Sequence, residues 1–256
     1  PHQTVVTDTA THGKTMVQLL DEYGTQTGQQ RLATANRIFG ILYREELTDS
    51  LLKACRETPP DSLNLMVWYW ASEYFFATQD YDKGLHYGKQ AVALARHNHD
   101  LPLRSDCEHI TGLLYFRLSD YIHAIEHVRK SLEISRKMDD KGRISSSLNS
   151  LAAISLVAKQ LDNGEKYIRE ALKYSRQLND SARMAIQYGM ASEIHHTMGK
   201  DRQALDDARQ AYMIDSARGN KAKMGIRLSQ MAAAEQSLGR YADAEAHVRK
   251  AMPLLA

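Results

Sequence analysis

The sequence predicts an all-α protein, a right-handed α-solenoid of antiparallel helix pairs, and three observations carry that prediction. Proline and glycine are scarce, at 5 and 14 of 256 residues, and the remainder is rich in residues of high helix propensity. Offset by 40 residues, Tyr81, Tyr121, Leu161, Asp201 and Tyr241 fall into register, each opening a similar amphipathic segment. Periods of that size belong to stacked helical units. Three columns hold small side chains in the same register: Ser72, Gly112, Ala152, Ser192 and Ala232; Gly84, Ala124, Gly164, Ala204 and Ala244; and Ala91, Ser131, Ala171, Ala211 and Ala251. Small residues at fixed points let helices approach closely.

Taken in order, residues 1–13 are polar and are expected to form a disordered tail. Residues 14–62 do not follow the period, but Met16 to Tyr23, Gln30 to Leu47 and Asp49 to Arg56 have helical spacing. Thr58-Pro59-Pro60-Asp61 then breaks the chain. This segment reads as a divergent N-terminal repeat or cap, since a terminal unit must present a face that tolerates water. Five units follow, at 63–102, 103–142, 143–182, 183–222 and 223–256.

In the first unit one helix is predicted over about 64–78 and a second over about 82–97, with Thr78-Gln79-Asp80 as the turn. Met198-Gly199-Lys200 is the matching turn three units on. Leu148, Leu151, Ala152 and Ser155, and then Leu161, Tyr167, Ile168, Ala171 and Leu172, show the helical spacing of apolar or bulky positions. At the junctions Asp100, Asp140, Asp180 and Asn220 form a column of short polar side chains, which are predicted to cap the helices that follow.

These columns resemble the tetratricopeptide repeat: Trp68, Ala71, Ser72, Phe75, Gly84, Gly88 and Ala91 in the first unit, and Glu108, Thr111, Gly112, Tyr115, Ala124, Val128 and Ser131 in the second. The resemblance covers residues 63–256. It departs where His195 and Glu235 replace the aromatic and where Arg96, Arg136 and Arg176 stand in place of the closing proline. The 40-residue period looks like a longer variety of the usual repeat of about 34 residues.

The resemblance implies binding of a protein or peptide on a concave face lined by the first helix of each unit. It places Tyr69, His109 and Asn149 in one row there, Glu73 and Glu193 in a second, and Phe76, Phe116 and His196 in a third. Long repeats of this kind resemble those of bacterial kinases and transcription regulators. They imply the sensory or scaffolding part of a larger regulatory protein, or else a free-standing cytosolic adaptor or peptide receptor; a third reading, an enzyme with an unrecognised site, requires a closed pocket with perturbed titratable groups. Phe76 and Phe116 have a second reading, as aromatic packing between units.

Composition narrows the function classes. A formal net charge of +2 gives no whole-molecule attraction to nucleic acid or to an anionic membrane. The apolar stretch Val67 to Phe76 is too short to span a bilayer and is interrupted by Ser72 and Glu73. Compartment stays open between the cytoplasm and the periplasmic part of a membrane-anchored regulator. Cys55 and Cys107 fit neither a disulfide framework nor a metal spacing.

Phosphate loops, nucleophile elbows and metalloprotease pairs are missing from the sequence, so neither catalysis nor a cofactor is expected. His123 and His127 stand four apart on one helix, but a structural zinc needs four ligands, and they read as solvated surface histidines. His97, His99, His195 and His196 read as turn or surface residues. The basic column Arg143, Arg183 and Lys223, joined by Arg104 one position over, reads either as solvation of helix starts near the Asp column or as an anion-recognition strip. The helical pattern stops partway through a unit at Ala256, and the natural protein is expected to continue. Met231, Leu238, Val248 and Met252 form an apolar face there, for which self-association is expected.

Overall fold

A computed structural model describes residues 15–43, 60–97 and 99–255, and these hold twelve helices and no strand. They are α1 (Met16–Thr25), α2 (Gly28–Tyr43), α3 (Pro60–Ala77), α4 (Tyr81–Ala95), α5 (Leu101–Arg117) and α6 (Tyr121–Lys137), then α7 (Lys141–Val157), α8 (Leu161–Gln177), α9 (Ser181–Thr197), α10 (Asp201–Ala217), α11 (Lys221–Ser237) and α12 (Tyr241–Leu255). The expected tail 1–13 and the expected helix Asp49 to Arg56 lie outside the described residues. The chain forms two compact units, 1–127 and 128–256, each of helices packed against their sequence neighbours.

From Tyr81 to Tyr241 each helix starts 20 residues after the one before, and start and stop signals account for that regularity. Asp100, Asp140, Asp180 and Asn220 each accept the backbone N–H three residues on, at 2.9, 2.9, 2.9 and 3.2 Å. The column is a set of N-caps, as its chemistry predicts. Stops come from a residue in the left-handed region: Gln79, Ser119, Asp139, Lys159, Asn179, Gly199, Gly219 and Gly239, with φ from 52° to 73°. After α9, for instance, the Lys200 N–H donates to the His195 carbonyl at 2.8 Å and the Gly199 N–H to that of His196 at 3.0 Å, closing the helix end.

Only glycine adopts this conformation without steric cost. Lys159 holds φ at 59° and its side chain is exposed. Lys159→Gly is therefore expected to stabilise the protein by roughly 0.5–1 kcal/mol, read as a higher urea midpoint; an unchanged or lower midpoint would show that the turn is not under strain.

All three small columns are buried. A Cβ on Gly84 would come within 2.6 Å of Leu114 Cδ2, and one on Gly88 within 2.8 Å of Thr111 Oγ1, so these helices already touch. Ala124 is fully buried in the same register, and Ala124→Phe is expected to destabilise by about 1–3 kcal/mol through overpacking. Thermal unfolding at or above the parent midpoint would remove the column from the packing seam.

The departures from the aromatic column have a physical account. Phe75 stacks on Tyr87 with ring centroids 5.7 Å apart, and one period on, Tyr115 stacks on His127 at 5.3 Å. Two and three periods on from Tyr115 and His127 the contact becomes a polar one: His195 Nδ1 lies 2.6 Å from Asp207 Oδ2, and His247 Nδ1 2.6 Å from Glu235 Oε2. His127 also meets Glu108 Oε2 at 2.7 Å. His127 and His195 are thus not the solvated histidines that the sequence suggests; they are helix-to-helix contacts, because offset 12 along the chain brings the two helices of a pair together.

Candidate functional site: the solvent-facing strip of the first helices

In the first unit the strip is carried by α3 and α5. Tyr69 is only 8% exposed, a correction to its expected place on an open face: its ring packs with Leu65 and at 4.6 Å from the Trp70 ring. Its hydroxyl reaches Glu73 Oε1 at 3.4 Å. Burial raises the Glu73 pKa, partly offset by that hydroxyl, and the Asp106 carboxylate adds to the rise. Burial pushes His109 down to about 4, so its imidazole is neutral at neutral pH and can both donate and accept.

Phe76 and Phe116 are half-buried and pack on Tyr81 and Tyr121, with centroids 6.0 and 6.1 Å apart. The Arg117 guanidinium sits 5.6 Å from the Phe76 ring. Packing between helices therefore accounts for both phenylalanines, with one edge of each left at the surface.

In the second unit the strip runs over α7, α9 and α11. Asn149 is half-buried, with Oδ1 shielded from solvent and without a hydrogen-bond partner. Glu193 and His196 are exposed; Glu193 accepts from Gln230 Nε2 at 2.8 Å, and His196 Nδ1 pairs with Asp201 at 2.6 Å. The basic column behaves as its first reading expects at two places. Arg143 pairs with Asp140 at 2.7 Å and Arg183 with Asp180 at 3.1 Å. Arg183 Nη1 also donates to the Gly142 carbonyl and to Ser146 Oγ, both at 2.6 Å, which ties α9 to α7.

Two features escape the sequence. A Cβ on Gly189 would overlap the Arg227 guanidinium, which is buried against Asp215, Nε to Oδ2 at 3.0 Å. Ile186 and Ile226, one turn before the Asn149 row, are exposed on the strip. The signal for both was present, since Ile186 and Ile226 share a register and Arg227 lies at the same offset of 12 from Asp215.

His195, beneath this strip, gives the second unit a pH dependence. Its Nε2 also faces Glu165 at 3.6 Å, and Glu165 is held in turn by Lys200 and Arg169, both at 2.8 Å. The hydrogen bond to Asp207 leads in raising the His195 pKa, against a smaller desolvation effect. The folded value thus lies above the unfolded one of about 6.5. Its contribution is full below that unfolded value and is lost as pH rises through the folded one. Urea midpoints are expected to fall as pH is raised above about 6.5, and His195→Phe to lack that component; parallel pH profiles for parent and variant would contradict the assignment.

On the second-helix side of this unit, a cleft of about 500 Å³ is lined by Arg129, Arg136, Lys137 and Tyr167 over Leu132 and Leu151. Its cations are answered: Arg136 by Glu170 at 2.7 Å, Lys137 by Glu133 at 2.7 Å, and Arg129 by the Tyr167 hydroxyl at 3.1 Å. Among the described residues no group of three or more His, Cys, Asp or Glu could hold a metal, and no helix is long and apolar enough to cross a membrane. Cys107 is buried, and burial raises its thiol pKa; Cys55 lies outside the described residues.

No protein-family model matches the chain, and no curated protein does. Solved structures do. BtubC (BKLC) of P. vanneervenii is similar over 90% of this chain and 91% of its own, with TM-score 0.70 and 20% identity. A Podosopora anserina kinesin light chain with nearly identical TPR-like repeats matches 77% of this chain and 96% of its own, with TM-score 0.64 and 15% identity. The chain has the tetratricopeptide-like repeat fold. A Rap protein complexed with Competence and Sporulation Factor matches 93% of this chain and 74% of its own, with TM-score 0.66 and 13% identity. A STAND signal-transduction ATPase with a tetratricopeptide repeat sensor, from Pyrococcus horikoshii, matches 94% of this chain with TM-score 0.70 and 15% identity, and this chain spans 38% of its length. Identities this low speak for the tetratricopeptide-like fold alone.

Proposed function

We propose that the chain is a non-catalytic module that binds a protein or peptide along its first-helix strip, as the sensory or scaffolding part of a larger regulatory protein. The observation that carries this reading is the strip itself. In the first unit α3 and α5 present Glu73, Phe76, His109 and Phe116, and in the second α7 and α9 present Asn149, Glu193 and His196, all half-buried or exposed, while two of the three cations of the second-helix cleft, Arg136 and Lys137, are paired with carboxylates. Half-buried aromatic edges supply contact area, and neutral imidazole and amide groups hydrogen-bond an extended backbone. A Rap protein complexed with Competence and Sporulation Factor, and a STAND protein with a tetratricopeptide repeat sensor, support the regulatory part. The division into five units after a divergent 14–62 segment belongs to the same proposal.

Peptides selected from an unbiased display library on the chain provide the test. Asn149→Ala combined with Glu193→Ala is expected to weaken the selected peptides by roughly 1–4 kcal/mol with an unchanged circular-dichroism spectrum. Unchanged affinity in the folded double variant would move the site off the strip.

Self-association through α12 forms a further part of the reading. Of the expected apolar face, Met231 is buried and Leu238 half-buried beneath α12, whereas Val248 and Met252, with Tyr241 and Leu255, are exposed. Two periods earlier, Ile168 and Leu172 at the positions of Val248 and Met252 are buried. Light scattering is expected to show concentration-dependent association of this chain; a strict monomer at high concentration would reject it.

A further inference from the structure

Ile186 on α9 and Ile226 on α11 occupy one register position a single 40-residue step apart, and they are 41% and 45% exposed. Single exposed aliphatics are ordinary on protein surfaces, but repetition at one position of successive packed helices makes a pair of anchors. On one flank the neighbours one turn away are small, Ala182 and Gly189 beside Ile186 and Ala222 and Ser229 beside Ile226, with the Arg227 guanidinium over Gly189; on the other flank stand Arg183 and Met190, and Lys223 and Gln230. A ligand side chain therefore approaches each isoleucine from its small flank, over Ala182 or Ala222.

Charge adds a direction. At α7 and α9 the capping carboxylates Asp140 and Asp180 neutralise Arg143 and Arg183. At α11 the cap is Asn220, which keeps the hydrogen bond to the Lys223 N–H at 3.2 Å but brings no charge. Among the described residues Lys223 has no carboxylate partner, and it stands one turn before Ile226. Glu193, the carboxylate of the strip on α9, lies on the other side of Gly189 and is engaged by Gln230. The cationic end of the anchor pair is thus at Ile226.

We propose that Ile186, Ile226 and Lys223 bind an extended peptide carrying aliphatic side chains three residues apart, with an acidic residue beside the second. This rests on the reading of the first-helix strip as the peptide site. Packed helices lie about 8–10 Å apart. A polyproline-II strand advances about 9 Å in three residues and returns to the same side, which matches the step from one isoleucine to the next.

The test uses a fluorescein-labelled peptide, Gly-Leu-Pro-Pro-Leu-Asp-Asp-Gly, titrated with the whole chain and read by anisotropy. Binding is expected, with a loss of roughly tenfold or more in Ile186→Ser and in Ile226→Ser at unchanged helicity. Lys223→Glu is expected to weaken this peptide by about fivefold and to favour its Lys-Lys counterpart instead. No measurable binding, or binding indifferent to both serine variants, overturns the inference. Library-selected peptides that lose affinity with Asn149→Ala but not with the serine variants would reject it while leaving the first-helix strip as the binding face.

Discussion

Arg227→Ala is expected to destabilise the protein by about 3–5 kcal/mol, among the largest effects of any single substitution in the second unit. Arg227 and Asp215 are 7% and 2% exposed, and the guanidinium fills the space that Gly189 leaves open on α9. Truncation strands a buried carboxylate and opens a void in one step. Its remaining partner, Gln230 Oε1 at 3.1 Å, is also lost. The pair need not add net stability, because well-packed apolar groups replace buried ion pairs at little or no cost. Arg227→Met with Asp215→Leu should therefore recover most of the loss. Urea denaturation followed by far-UV circular dichroism checks both; a loss below about 1 kcal/mol for Arg227→Ala would mean that Asp215 finds water or another partner.

Ile194→Ala is expected to cost about 2–5 kcal/mol. Ile194 is fully buried among Ala152, Ile168 and Ala191, and its Cδ1 lies 3.4 Å from where a Cβ on Gly164 would stand. Ala152, Ala191 and Gly164 have no atoms to move into the gap, whereas Ile168, Leu156, Met190 and Met198 pack on the same cluster. How far these longer side chains close the cavity sets where the cost falls within the range for such truncations. Urea denaturation again provides the measure, and a cost under about 1 kcal/mol would show that α9 moves inward to close the space.

The fold was legible because the signals that start and stop each helix recur in the sequence itself. Asp100, Asp140, Asp180 and Asn220 name their own role as caps, and the small columns mark where helices touch. The left-handed stops were harder to read, since Gln79, Ser119 and Lys159 are not residues that favour that conformation. At these points the helix-end hydrogen bonds and the packing of flanking helices impose the turn.

The site was less legible, for reasons of burial. Tyr69 sits at a position where the repeat pattern puts an exposed side chain, yet its ring is large enough to gain more by lying in the core beside Leu65 and Trp70. Asn149 at the same register is small and stays half-buried, and Gly189 gives its place to Arg227. Whether a position faces solvent or core thus depends on what packs against it, a pairwise fact that a single column does not contain. His195 and Asp207 make the same point, as two polar residues that neutralise one another in a place built for stacked rings.

Site-specific photo-crosslinking tests the central claim most directly. A photoreactive phenylalanine analogue is placed in turn at Ala153 and Glu193 on the first-helix strip, and at the exposed Lys173 and Met213 on second helices, and each is irradiated with a peptide selected on the unmodified chain. Crosslinks from Ala153 and Glu193, with none from Lys173 or Met213, are the predicted result. Crosslinks confined to Lys173 or Met213 would contradict it and assign binding to the second-helix face.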